Sequence, residues 1–139
     1  MQFTMEANCA ASAGVSDMLV QGWRDVVRIF PAIPDHWRDA AFRDLLTEGA
    51  FRVSAVRRGG RTIWVRIIAG VARTLRLRTP FGEAEIEIEG AALRREGSDL
   101  VGQLGKGQEV LVHLKGESVE FERAARQARQ GDTARIGLR

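Results

Sequence analysis

A pair of adjacent glycines between two alternating apolar segments constrains the fold of this chain more than any other feature. Gly59 and Gly60 supply the positive φ angles that a tight hairpin turn requires. On either side of them, residues 51–55 and 63–67 place apolar side chains at every second position. A period of two is typical of a strand with one buried face. The pattern therefore predicts that these two segments pair as an antiparallel hairpin.

The same alternation recurs along the chain as far as residue 115. It predicts further strands at residues 42–47, 72–78, 84–89, 100–104 and 109–115. Short strands separated by frequent turns are typical of an all-β sandwich. We therefore expect a mainly β fold, in which an antiparallel β-sandwich occupies residues 35–116.

The first 34 residues follow a different pattern. Residues 10–21 are predicted to form a helix, because one face carries apolar or small residues at the helical spacing: Val15, Met18, Leu19 and Gly22. Residues 26–30 are predicted to form a short strand, which Pro31 and Pro34 end because neither can donate to a strand ladder. A helix of this length is marginal in isolation. We expect the helix and this connector to pack against the sandwich or against a second copy of the chain.

The last part of the chain is polar. Residues 117–130 read as a polar helix or a frayed tail, and Glu122 lies four residues before Arg126, a spacing that supports a helix. The sequence is therefore divided into three parts: residues 1–34, the sandwich at 35–116, and a polar helix or disordered tail at 117–139.

The composition is that of a globular protein, with 45% hydrophobic and 28% charged residues. At 139 residues the chain can hold one domain, or one domain and a fragment of another. The net charge of +3 is small and spread along the sequence, which disfavours a nucleic-acid partner.

Several other classes of site and location are disfavoured by the residues present. Cys9 is the only cysteine, and with two histidines far from it in sequence it makes no metal-ligand pattern, so no metal or cofactor is expected. No apolar run is long enough to cross a membrane. Residues 1–4 lack the basic start of a signal peptide, so none is expected.

Several sequence blocks follow one another in the first half of the chain. They are Met5-Glu6-Ala7-Asn8, residues 13–21, residues 29–34, Trp37 and Gly49-Ala50-Phe51. In this order they resemble the C-terminal part of glycoside hydrolase family 95, the α-L-fucosidases and their relatives. Members of that family have an N-terminal β domain, an (α/α)6 barrel with the active site, and a C-terminal β domain. The resemblance implies that residues 1–34 are the end of such a barrel.

The resemblance also implies a role for two residues. Glu6 stands at the position of the family's catalytic base, which is usually Asp, and Asn8 matches an asparagine two positions later. Inverting glycoside hydrolysis needs two carboxyl groups roughly 6.5–9.5 Å apart. In the family the second one lies upstream in the barrel. The chain is therefore expected to be an accessory β domain that is inactive by itself, with an upstream barrel domain or a second copy as its partner.

Other readings of the same residues remain open. A glutamate ahead of a helix is also a common cap, because carboxylates favour helix N-termini. Trp23, Trp37 and Trp64 could stack on sugar rings, although single tryptophans more often pack in cores. A carbohydrate-binding or structural β module would use Trp64 or Trp37 as its platform. A nucleic-acid-binding protein that uses the many arginines is the least favoured reading.

Overall fold

The computed structural model describes residues 17–117, which contain a helical turn at residues 17–19 followed by ten strands. The strands are β1 (Val20–Gln21), β2 (Arg28–Ile29), β3 (Ala40–Thr47), β4 (Phe51–Arg58), β5 (Arg61–Ala69), β6 (Arg73–Arg78), β7 (Ile86–Glu89), β8 (Arg94–Glu96), β9 (Asp99–Leu104) and β10 (Glu109–Leu114). Glu6, Asn8 and the predicted tail lie outside the described residues.

The ten strands form antiparallel sheets around one core. A five-stranded sheet has the order β3-β4-β5-β10-β7, a three-stranded sheet has the order β6-β9-β8, and β1 pairs with β2. Buried apolar side chains from all three sheets belong to one hydrophobic cluster. This mainly β, sandwich-like arrangement agrees with the alternation in the sequence.

The hairpin predicted across the two glycines is confirmed. Gly59 and Gly60 have φ angles of 59° and 80°, and β4 and β5 pair on either side of them. Val53 faces Ile67 in this ladder, and neither side chain is exposed to solvent. The face that carries these two residues is therefore the inner face of the five-stranded sheet.

The connector before the sandwich is part of the same folded body. Val27 N donates to the carbonyl of Arg76 at 2.9 Å, and Arg78 N donates to the carbonyl of Val27 at 2.9 Å. These bonds place β2 beside β6 as a further, parallel neighbour of the three-stranded sheet. The ring of Phe30 meets that of Phe42 edge-to-face, with 5.4 Å between the ring centroids. The described part of the connector thus packs against the sandwich, as expected.

The end of the predicted helix needs correction. Within the described residues, helical geometry ends at Leu19, whereas Val20 and Gln21 form a strand that pairs with Ile29 and Arg28. Val20 is β-branched and buried, so pairing with a neighbouring strand satisfies both its backbone groups and its side chain. Tertiary pairing here overrides the helical spacing of the sequence.

Strand β8 was not predicted from the sequence. Its residues, Arg94, Arg95 and Glu96, have no apolar alternation that could indicate a strand. All three pair with β9, whose first four residues are all buried. A neighbouring strand therefore determines this segment, because an edge strand needs only backbone partners on one side.

Candidate functional site

The tryptophans occupy different environments from those expected for a sugar platform. Trp64, one of the two candidates, is 1% exposed and cannot stack on a ligand in this fold, so that prediction is wrong for it. Trp37 is partly buried, and its ring meets His36 edge-to-face at 6.2 Å. The most exposed of the three tryptophans is Trp23, at 45%.

Trp23 lies in the tight turn between β1 and β2. Val26 N donates to the carbonyl of Trp23 at 3.2 Å, and the two central residues, Arg24 and Asp25, have φ angles of 54° and 59°. Two consecutive positive φ angles are the geometry of a type I′ turn, whose twist matches that of a hairpin. The side chains of Trp23, Arg24 and Asp25 therefore follow one another in this turn. Arg24 and Asp25 adopt positive φ angles, which cost free energy for residues other than glycine.

Two guanidinium groups contact the ring of Trp23. The Cζ atoms of Arg24 and Arg28 lie 4.7 Å and 4.9 Å from the ring centroid, within the range of cation–π attraction. Arg28 Nη1 also donates to the carbonyls of Trp23 at 3.2 Å and Val26 at 3.3 Å. This set of Trp23, Arg24 and Arg28, which we call the Trp23 surface, combines an accessible aromatic ring with hydrogen-bond donors.

Arg73 holds the turn against the sandwich. Its Nη2 donates to Asp25 Oδ1 at 3.1 Å, and its Cζ lies 5.6 Å from the ring centroid of Phe51. The side chain fits because residue 49 is glycine: a Cβ at Gly49 would come within 2.6 Å of Arg73 Nη1. Position 49 also has a φ of 86°, which favours glycine. The turn is thus tied to β6 through one arginine.

An ion-pair network covers the outer side of the three-stranded sheet. Asp99 accepts from Arg78 Nε at 2.6 Å and from Arg76 Nη1 at 3.2 Å. Glu96 accepts from Arg76 Nη2 at 3.0 Å and from Arg94 Nε at 2.9 Å. The network spans β6, β8 and β9, and it brings three guanidinium groups onto two carboxylates.

The pKa values in this network all move toward the charged forms. Burial raises the pKa of Asp99, but hydrogen bonds from Arg78 and Arg76 outweigh it, so the pKa lies below the usual value. The pKa of Glu96 is lowered by hydrogen bonds from Arg94 and Arg76, and that of Arg76 is raised by its bonds to Asp99 and Glu96. A general acid at neutral pH needs a raised pKa. These carboxylates are therefore structural ions.

A buried histidine lies beside two carboxylates on β7. His113 is 2% exposed, and its Nε2 lies 3.4 Å from Glu89 Oε1 and 3.7 Å from Glu87 Oε2. Its Nδ1 donates to the carbonyl of Leu114 at 3.0 Å, which fixes the ring. Across residues 17–117, no group of three His, Cys, Asp or Glu side chains has the arrangement of a metal site.

Comparisons with known proteins add no name to this site. Neither the models of known protein families nor the curated proteins gave a match. In the described part of the chain, no helix has the length and apolar character required to cross a bilayer.

The sequence offered Trp23 only as one of three tryptophans that could stack on a sugar, and the combination with two arginines was missed. Arg24 and Arg28 were given no role, because Gly22 indicated only the end of a helix. The available signal was an aromatic residue and two arginines around a break between two apolar segments. That pattern becomes informative only when the segments are known to pair as a hairpin, which places Trp23 and Arg28 on opposite sides of one turn.

Proposed function

We propose that this chain is the C-terminal accessory β domain of an α-L-fucosidase-like glycoside hydrolase and that it is not catalytic by itself. The observation that supports this proposal is the packing of the connector. Val27 and Phe30, which belong to the end of the barrel by the resemblance, are buried in the core of the sandwich. A barrel that preceded them would be held to the sandwich by continuous, packed structure.

The electrostatics of the described carboxylates support a non-catalytic role for this part of the chain. Asp99 and Glu96 share Arg76, and both have lowered pKa values. A glycosidase acid must instead keep its proton near neutral pH. The second carboxyl group for a partner such as Glu6 would therefore come from the upstream barrel.

The proposal is tested by measuring hydrolysis of an aryl α-L-fucoside. We expect no turnover by the purified chain, and Glu6→Gln should leave that result unchanged. Addition of a purified upstream barrel domain should restore hydrolysis, and Glu6→Gln should then abolish it, because general acid–base assistance is worth about 10²–10⁴-fold per group. Turnover by the chain in isolation that Glu6→Gln stops would contradict the proposal.

The Trp23 surface favours a second candidate function, that of a carbohydrate-binding module. An accessible indole can cover the apolar face of a sugar ring, and nearby guanidinium groups can donate to hydroxyl or carboxylate oxygens. Trp23 and Arg28 present this combination on one turn.

The second function is tested by titrating the chain with neutral and uronic-acid oligosaccharides by calorimetry. We expect Trp23→Ala to remove binding, and Arg28→Gln to weaken binding of the acidic ligand more than the neutral one. Val71→Ala is the matched control, because Val71 is similarly exposed, at 46%, but has no guanidinium partner on its side chain. If the Trp23→Ala variant and the unchanged chain bound the oligosaccharides with equal affinity, the Trp23 surface would be excluded as the binding site.

A further inference from the structure

Part of the outer face of the five-stranded sheet is buried, although sandwich sheets usually expose one face to solvent. Val56 pairs with Trp64, and Trp64 pairs with His113, so these three side chains share a face opposite to Val53 and Ile67. Their exposed fractions are 0%, 1% and 2%, and those of two neighbours on the same face, Ser54 and Thr62, are 1% and 3%.

The other two described sheets pack against the inner face. Phe42 pairs with Ala55 on the inner face and meets Phe30 of the connector, and Phe51 on the inner face meets Arg73 of β6. The three-stranded sheet and the β1–β2 hairpin therefore lie on that side.

On the outer face, the guanidinium group of Arg66 lies 5.9 Å from the ring centroid of Trp64 and donates to Ser54 Oγ at 3.5 Å. Among residues 17–117, no further strand pairs into the five-stranded sheet.

We propose that residues 118–139 of this chain dock on the outer face of the five-stranded sheet and cover Trp64. The chain leaves the described region from β10, whose His113 lies on this face. The next ordered contact is an ion pair of 2.8 Å between Glu117 and Arg58 of β4. The last described residue, Glu117, therefore lies beside the face, at the end of the sheet where the β4–β5 hairpin turns.

The sequence of this segment is suited to such a face. It has apolar residues at the 3.6-residue period, which together make one stripe: Phe121, Ala124, Ala125 and Ala128. It also carries five arginines against three carboxylates. Glu87 and Glu89 lie at the same edge of the outer face, beside His113, and are half exposed. The apolar stripe and the charge both complement the sheet.

The N-terminal segment is a less suitable occupant. The described chain begins at residue 17, and the carbonyl of Leu19 accepts from Phe30 N at 2.6 Å. The described chain therefore begins at the connector, which lies on the inner side with the three-stranded sheet. Coverage of the outer face by residues 1–16 is the competing outcome of the experiment.

The experiment uses full-length chains in which Trp23→Phe and Trp37→Phe leave Trp64 as the only tryptophan. Acrylamide quenching of its fluorescence is measured in three further variants. Ala125→Glu introduces a negative charge in the apolar stripe. Gln130→Glu introduces the same charge on the opposite side of residues 118–139, and Val15→Glu introduces it near the N-terminus. We expect quenching to rise several-fold with Ala125→Glu and to stay unchanged with the other two.

Two results would overturn the proposal. The first is an unchanged quenching constant in the Ala125→Glu variant. The second is a rise of the quenching constant in Val15→Glu but not in Ala125→Glu, which would assign the face to residues 1–16. Hydroxyl-radical footprinting of the unchanged chain gives an independent readout that needs no variant. We expect Phe121 to be protected together with Trp64 while Trp23 is modified, and strong modification of Phe121 would also overturn the proposal.

Discussion

The turn that carries Trp23 contains residues with positive φ angles. Within residues 17–117, five non-glycine residues have positive φ angles, and two of them, Arg24 and Asp25, lie in the turn that presents Trp23. Each such residue costs of order 1–2 kcal/mol relative to right-handed geometry. Because the Asp25 side chain is 87% exposed, its ion pair with Arg73 offsets only part of this cost. Two strained residues thus lie at the surface that we propose for ligand contact.

Gly49 and Gly59 allow a matched test of that packing. Both have positive φ angles, 86° and 59°, but a Cβ at Gly49 meets Arg73 whereas a Cβ at Gly59 meets nothing within 4 Å. We expect Gly59→Ala to lower the free energy of unfolding by about 1 kcal/mol and Gly49→Ala by about 2–3 kcal/mol, because the second also displaces a guanidinium group. Urea unfolding at neutral pH measures both. Equal losses would show that Arg73 moves aside at no cost.

At the scale of the element, β6 separates an apolar side from a charged one. Leu75 and Leu77 are fully buried on the inner side, while Arg76 and Arg78 bind carboxylates on the outer side. The sequence predicted this alternation correctly. The network on the outer side includes Asp99, which is 8% exposed, so its pairs are screened less by solvent than ordinary surface ion pairs.

The network makes the stability of the three-stranded sheet depend on pH. The pKa of Asp99 lies below its ordinary value of 3.8, and that of Glu96 lies below 4.5. A lowered pKa in the folded state stabilises the fold above the unfolded pKa, and the stabilisation is lost as the pH falls through the folded pKa. We therefore expect the free energy of unfolding to be level above about pH 5 and to decline as the pH falls below about 4.

Asp99→Asn tests the source of that decline. The variant should be less stable than the unchanged chain at pH 7, and its stability should fall less steeply in acid. Asp35→Asn is the control, because Asp35 is exposed in the loop before β3. Urea unfolding at a series of pH values gives both curves. If the free energy of unfolding of Asp99→Asn fell as steeply in acid as that of the unchanged chain, groups other than Asp99 would be the source of the acid sensitivity.

Strand β3 shows how the edge of the larger sheet is interrupted. The ladder between β3 and β4 shifts register between Phe42 and Leu45, and Asp44 in this bulge has a φ of 53°. Asp44 N donates to Ser54 Oγ at 2.9 Å, and Arg66 donates to Asp44 Oδ1 at 3.2 Å. Bulges at edges hinder pairing with other chains. The bulge therefore makes β3 a poor site for association.

For the whole molecule, burial of apolar surface between the two layers is the main source of stability. Leu77 lies on β6 beside Val27 of the connector and is 0% exposed, whereas Leu46 on β3 is 73% exposed. We expect Leu77→Ala to cost about 2–5 kcal/mol and Leu46→Ala no more than about 0.5 kcal/mol. Thermal or urea unfolding compares the same substitution at the two sites. A small loss for Leu77→Ala would mean that the layers repack closely around the cavity.

The alternating sequence determined most of the β structure by itself. The period of two, together with Gly59 and Gly60, identified β4, β5 and their pairing, and it located β6, β9 and β10 to within a few residues. These segments are predictable because a strand with one buried face needs a side chain of the right polarity at each position. Such a requirement is local, and the sequence expresses it directly.

Tertiary pairing and coverage decided the remainder. Val20 and Gln21 are strand because Ile29 and Arg28 lie opposite them, and β8 exists because β9 offers backbone partners. The burial of Trp64 and the exposure of Trp23 likewise depend on which side of a sheet other parts of the chain cover. The roles of Glu6 and Asn8 stay predictions from the sequence blocks. Backbone pairing and coverage depend on what lies beside a segment in the folded chain, so the pattern within that segment does not predict them.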